Sequence, residues 1–96
     1  MQADDVTRSP PAIMIVADEY DAFVRLIPGD ERLPRSYGEW VKRCARSAAE
    51  RDARGEKVKE VVIHSEEFAY YCHARGREPS YGMLEELAAE KISRMS

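Results

Sequence analysis

The side chains with the broadest chemical repertoire are Cys44, His64, Cys72 and His73. Thiolates and imidazoles bind metals and serve as nucleophiles or bases, so their spacing is the first thing to weigh. No CxxC, HxxxH or HExxH spacing occurs. Cys72 and His73 are neighbours, and on a helix adjacent side chains diverge by about 100°. They do not share a metal or form a nucleophile–base pair. Cys44 and Cys72 each fall among apolar residues at helical spacing, where a thiol acts as a small hydrophobe. Asp18-Glu19 and Glu66-Glu67 are paired carboxylates, and both pairs lie where helices should begin, which suits the helix dipole. Neither a GxGxxG nor a GxxxxGK[ST] run is present. The chemistry-bearing residues predict no catalytic centre, no metal and no cofactor.

One phrase is written twice. "RSYGEW" starts at Arg35 and "PSYGML" at Pro79, so Ser36-Tyr37-Gly38 is echoed by Ser80-Tyr81-Gly82. A serine before an apolar periodic run is a helix cap, and Glu39 lies at capping-box spacing from Ser36. The glycines then fall in the first helical turn, where Gly costs up to about 1 kcal/mol relative to Ala. Two explanations stand. The preceding helix or strand approaches the backbone closely, or the amides of Ser36, Gly38, Ser80 and Gly82 hold a phosphate or carboxylate.

The elements that position these groups follow from periodicity. Residues 1–11 read as a flexible arm, acidic and polar, and not as a secretory signal. "AIMIV" from Ala12 reads as a strand, with a rival helical reading in which one helix begins near Pro10. Residues 18–27 form a helix that Pro28-Gly29 stops. The next helix spans 36–54 and should bury Tyr37, Trp40, Val41, Cys44, Ala45, Ala48 and Ala49, with Gly55 as its C-terminal cap. Lys57–Ile63 is the second strand. Ser65 should cap a helix that turns Phe68, Tyr71 and Cys72 inward and ends at Gly76. Ser80 opens the last, with Tyr81, Leu84, Leu87, Ala88, Ile92 and Met95 inward.

The expected fold is therefore α+β, a single domain over 12–95 with two short strands and four helices in the order β-α-α-β-α-α. Ile15 aligns with Ile63, Tyr20 with Phe68 and Phe23 with Tyr71 at one common spacing. This predicts similar halves, 12–54 and 57–95, related by a pseudo-two-fold. The alternative is that two helix starts share cap chemistry. A two-stranded ribbon is marginal in water, so helix faces or a partner's strands must cover it, which points to a homodimer.

Composition bounds the function. The chain has 96 residues, 44% hydrophobic and 34% charged, with a net charge of −3. This suits one small soluble domain and argues against a general nucleic-acid binder. No apolar run is long enough to span a membrane. Two cysteines make no disulfide framework, which suits a reducing cytoplasm. The expected role is a cytoplasmic, non-enzymatic interaction or regulatory protein, with Tyr70 and His73 as an exposed anchor. The alternative is a nucleic-acid-binding regulator. It would use the basic face of helix 36–54, with Lys42, Arg43, Arg46 and Arg54, or a helix-turn-helix-like pair over 65–95.

Overall fold

β-Branched residues set the strands. In the computed structural model, which describes residues 11–95, with the Met95 side chain left aside, Ala12–Met14 is β1 and Glu60–Val62 is β2. The predicted arm over 1–11 lies almost entirely outside the described residues. Extended backbone continues through Val16 and His64, whose ψ angles are 148° and 149°. The strands are parallel and pair Ala12 with Glu60, Ile13 with Val61 and Met14 with Val62. Ile13, Ile15, Val61 and Ile63 are buried, while Met14, Val16, Val62 and His64 are exposed. The sheet thus has one covered and one open face.

Four helices make the second layer: α1 (Ala17–Leu26), α2 (Tyr37–Ala53), α3 (Ser65–Ala74) and α4 (Tyr81–Met95). The predicted element order is the observed one, and the chain is a small α+β domain. Asp18 and Glu19 stand in the first turn of α1, and Glu66 and Glu67 in that of α3, as the dipole favours. Ser36 Oγ accepts from the Glu39 amide at 3.2 Å, and Ser80 Oγ from the Met83 amide at 3.2 Å. Ser65, expected to cap α3, is instead its first helical residue, and His64 is the cap residue. Gly55 follows α2 at φ +77°, a left-handed conformation that a side chain would strain.

Aromatic rings fill the core. Phe23 and Phe68 meet at 5.6 Å between centroids, joining α1 to α3. A second chain of rings runs Tyr37–Tyr20–Trp40–Tyr81, with spacings of 5.5, 6.0 and 6.4 Å. The tyrosines of both Ser-Tyr-Gly turns therefore belong to one cluster. The Tyr20 hydroxyl donates to the buried Pro34 carbonyl and ties the 28–35 loop to α1.

Two further expectations are corrected. The first is the inner face of α2. Trp40 is buried and Tyr37 and Cys44 are half-buried, but Val41, Ala45, Ala48 and Ala49 are exposed. The helical period was right, but only the first two turns of that face meet the core, because α2 packs chiefly on α1 while α4 packs on β2 as well as α3. Accordingly α4 buries Met83, Leu84, Leu87 and Ala88. The second is the pseudo-two-fold. A two-fold across the strands would make them antiparallel, and one along them would turn equivalent residues to opposite faces. Here the strands are parallel and Ile15 and Ile63 share the buried face. The halves instead sit side by side, and the strand register has the same spacing as the sequence alignment of Ile15 with Ile63.

Candidate functional site: the open sheet face and its carboxylate–histidine cap

Alternation along β1 and β2 puts Ala12, Met14 and Val16 in one row, and Glu60, Val62 and His64 in the next. Met14, Val16 and Val62 are 39%, 40% and 44% exposed. They form an apolar strip with Glu60 at one end and His64 at the other. Parallel sheets are ordinarily covered on both faces, so a bare apolar strip on one face is unusual.

The strip ends in a polar network that sequence reasoning missed. Glu19 Oε1 accepts from the Ser65 amide at 2.6 Å, and Glu19 Oε2 lies 2.8 Å from His64 Nδ1. Glu67 Oε2 accepts from the His64 amide at 2.8 Å and from Lys91 Nζ at 2.7 Å. Lys91 Nζ also donates to the Val62 carbonyl at 2.7 Å, so one lysine ties α4 to α3 and to the outer edge of β2. The His64 hydrogen bond, then the Ser65 amide, hold the Glu19 carboxyl below its ordinary value. For Glu67, burial pushes upward, but Lys91 and the His64 amide outweigh it and the net shift is downward. With Nδ1 held by Glu19, Nε2 is the ring nitrogen of His64 left for other partners. The sequence signal was present: Glu19 and Ser65 each stand at a helix start. Only the pairing of the strands brings them together.

A carboxylate that fixes an imidazole is also the orienting half of many acid–base sites. Cys72 is buried, and burial pushes the thiols of Cys44 and Cys72 upward, away from thiolate. Among the described residues no cluster of three or more His, Cys, Asp or Glu is placed to hold a metal ion. Two surface depressions lie elsewhere. One of about 550 Å³ is lined by residues 27–32 with Pro79 and Ser80, and another of about 390 Å³ reaches from Val24 to Arg43.

The Ser-Tyr-Gly turns have a different geometry from the one expected. A Cβ at Gly38 would meet nothing within 4 Å, and one at Gly82 only Ser80 Oγ at 3.7 Å, an ordinary contact. Close approach of a helix or strand therefore does not explain either glycine. At the second turn the Tyr81 amide faces the Asp30 carboxylate of the same chain. Arg32 clamps that carboxylate through its amide at 2.9 Å and its guanidinium at 3.0 Å, while stacking 4.8 Å above the Tyr81 ring. Hydrogen bonds from the Arg32 side chain, then from its amide, hold Asp30 below its ordinary value.

The basic residues of α2 divide. Arg43 Nη1 donates to the Glu31 carbonyl at 2.8 Å, and Arg54 pairs with Glu56 at 2.7 Å. Lys42 and Arg46 are exposed. In the turn between α3 and α4, Arg75 pairs with Glu90 at 3.0 Å and caps the Tyr71 ring, and Arg77 pairs with Glu86 at 3.5 Å. Glutamates of the would-be reading helix thus hold both arginines. Tyr70 is 73% exposed and His73 is exposed beside it on the outer side of α3. Among the described residues no helix is long and apolar enough to cross a membrane. Comparison with protein-family models, with curated proteins and with solved structures finds no match to this chain.

Proposed function

We propose that the chain is a non-enzymatic interaction module that works by protein contact through its open sheet face. The observation that carries this reading is the apolar strip of Met14, Val16 and Val62 on an uncovered parallel pair. Such a pair is marginal by itself, and covering its second face would shield apolar surface from water at roughly 25 cal/mol per Å². The polar network around Glu19, His64, Glu67 and Lys91 supports the reading differently. It is built from backbone caps and inter-element ties, and so holds the strip rigid rather than presenting a reactive group. Tyr70 and His73 offer a second, smaller anchor on α3.

The test uses Val62→Lys and Met14→Lys. Both positions are solvent-exposed, so folding should be kept. The expected result is that a protein bound by the wild-type chain loses affinity for both variants, while its binding shifts backbone resonances of 12–16 and 60–64. A partner that binds both variants as well as wild type would overturn the reading. So would one whose affinity depends only on Tyr70.

A further inference from the structure

We infer that the occupant of the open face is a second copy of this chain, stacked face to face with its strands antiparallel to the first. The inference rests on the contact reading above and names the partner of that face.

The strip matches itself. Its β2 row reads Glu60, Val62, His64, and its β1 row reads Ala12, Met14, Val16. A two-fold axis lying in the interface, across the strands at the level of Met14 and Val62, reverses each row onto its own copy. Met14 then faces Met14 and Val62 faces Val62, so the apolar centre meets an apolar centre. Ala12 faces Val16, a small residue against a larger one. At the ends, Glu60 of each copy faces His64 of the other. Every residue on the face finds a complementary opposite, and isologous two-folds are the commonest assembly. A two-fold along the strands, by contrast, would set Glu60 against Ala12 and His64 against Val16, pairing charged or polar groups with apolar ones.

The His64–Glu60 contact has a defined chemistry. The Nδ1–H donates to Glu19 in its own chain. For the other ring nitrogen to donate to a carboxylate as well, the imidazole must carry its second proton. The imidazolium would then lie between two carboxylates, Glu19 and the opposing Glu60. The remaining charged groups at that point are Glu67, which accepts from the His64 amide, and Lys91, which neutralises Glu67. Three half-exposed apolar residues per copy fall well short of the roughly 800 Å² per partner of a standard interface. The pair is accordingly weak and concentration-dependent.

The experiment is a dilution series of the purified full chain by sedimentation equilibrium and backbone NMR, up to about 1 mM. The expected result is a monomer–dimer equilibrium with concentration-dependent shifts confined to 12–16, 60–64 and Glu19. Val62→Lys and Glu60→Lys should each weaken it by about tenfold or more, and Tyr70→Ala should leave it unchanged. Val62→Thr, gentler than the lysine, guards against misfolding and should weaken it less. A chain that stays monomeric at about 1 mM overturns the inference. So do shifts centred on the bare face of α2, or association that Glu60→Lys does not alter. If the chain is monomeric yet Val62→Lys abolishes binding of a different protein, the second-copy inference fails and the contact reading stands. If Val62→Lys affects neither, both fail.

Discussion

Replacing Gly38 by alanine should stabilise the protein. Gly38 is the second residue of α2, has an ordinary negative φ, and a Cβ there would meet nothing within 4 Å. No contact opposes the gain from a stiffer unfolded chain and a better helix former, which reaches about 1 kcal/mol in a helix interior. In the first turn the gain should be nearer 0.5 kcal/mol. For a domain this size that is a rise of about 2–4 °C in Tm. Gly82→Ala should act in the same direction, since its only near neighbour is Ser80 Oγ at 3.7 Å. The control is Gly55→Ala, which forces a side chain into φ +77° and should cost about 1–2 kcal/mol. The single tryptophan, Trp40, is buried among Tyr20 and Tyr81, so its fluorescence follows the transition in urea. Loss of stability in Gly38→Ala beyond about 0.5 kcal/mol would show that the turn has a contact the structure lacks, and would refute the reasoning.

Tyr20→Phe leaves the buried Pro34 carbonyl without its donor and should cost about 1–2 kcal/mol, read by urea denaturation. Burial pushes the Tyr20 hydroxyl up to about 12. Its contribution is therefore complete below the ordinary value of 10.0 and is lost as pH rises toward 12, an alkaline limb that Tyr20→Phe should flatten. On the acid side Glu19, Asp30 and Glu67 all have lowered values. Their stabilisation is present above the ordinary carboxylate range and drains as pH falls through the lowered folded values. Glu19→Gln should reduce the loss of urea midpoint between neutral and acid pH. Ala48→Glu on the exposed part of α2 should change stability by less than about 0.5 kcal/mol, while Ala88→Glu, fully buried in α4, should cost more than about 3 kcal/mol. For nucleic acid, Arg43 and Arg54 are already engaged, so labelled DNA or RNA should not shift even at about 50 mM salt; a shift lost on Arg43→Glu with Arg46→Glu would revive that role.

The order of elements was legible because each start and stop is local chemistry: Ser36 and Ser80 as caps, Gly55 and Gly76 as stops, β-branched content in 12–16. Most of the α4 core followed from period alone, although Met83 was missed, as was Leu33 in the loop before α2. What was not legible depends on distance in the chain. Val41, Ala45, Ala48 and Ala49 carry the signal of a buried face, but a 17-residue helix outruns a core built by 10-residue neighbours. The periodicity of an isolated helix cannot show where its partners end. The Glu19–His64 contact was hidden for the same reason. Each residue had a sufficient local role, one as an acidic first-turn residue and the other as the last extended residue before a helix, and only parallel pairing in register sets them side by side.

That pairing also accounts for a difference between segments 12–54 and 57–95. Glu19 sits in the first turn of α1, yet it caps the Ser65 amide of α3 in the next half. Asp30 follows α1, yet its carboxylate faces the Tyr81 amide at the start of α4. In both cases a carboxylate of the first half stands at a helix start of the second. Among the described residues nothing does the same for the first half: the cap residue of α1 is Val16, whose side chain cannot accept a hydrogen bond. Side-by-side displacement makes such one-way capping possible, whereas a two-fold would have made it mutual. The same one-way relation leaves α4 laid against β2 and α2 bare along its far turns. If this is the cause, Glu19→Ala should loosen the start of α3 and leave α1 intact. Hydrogen exchange should then quicken at Ser65 through Phe68 while α1 amides keep their protection. Equal quickening in both helices would mean that Glu19 supports the first half as much as the second, and the one-way reading would fall.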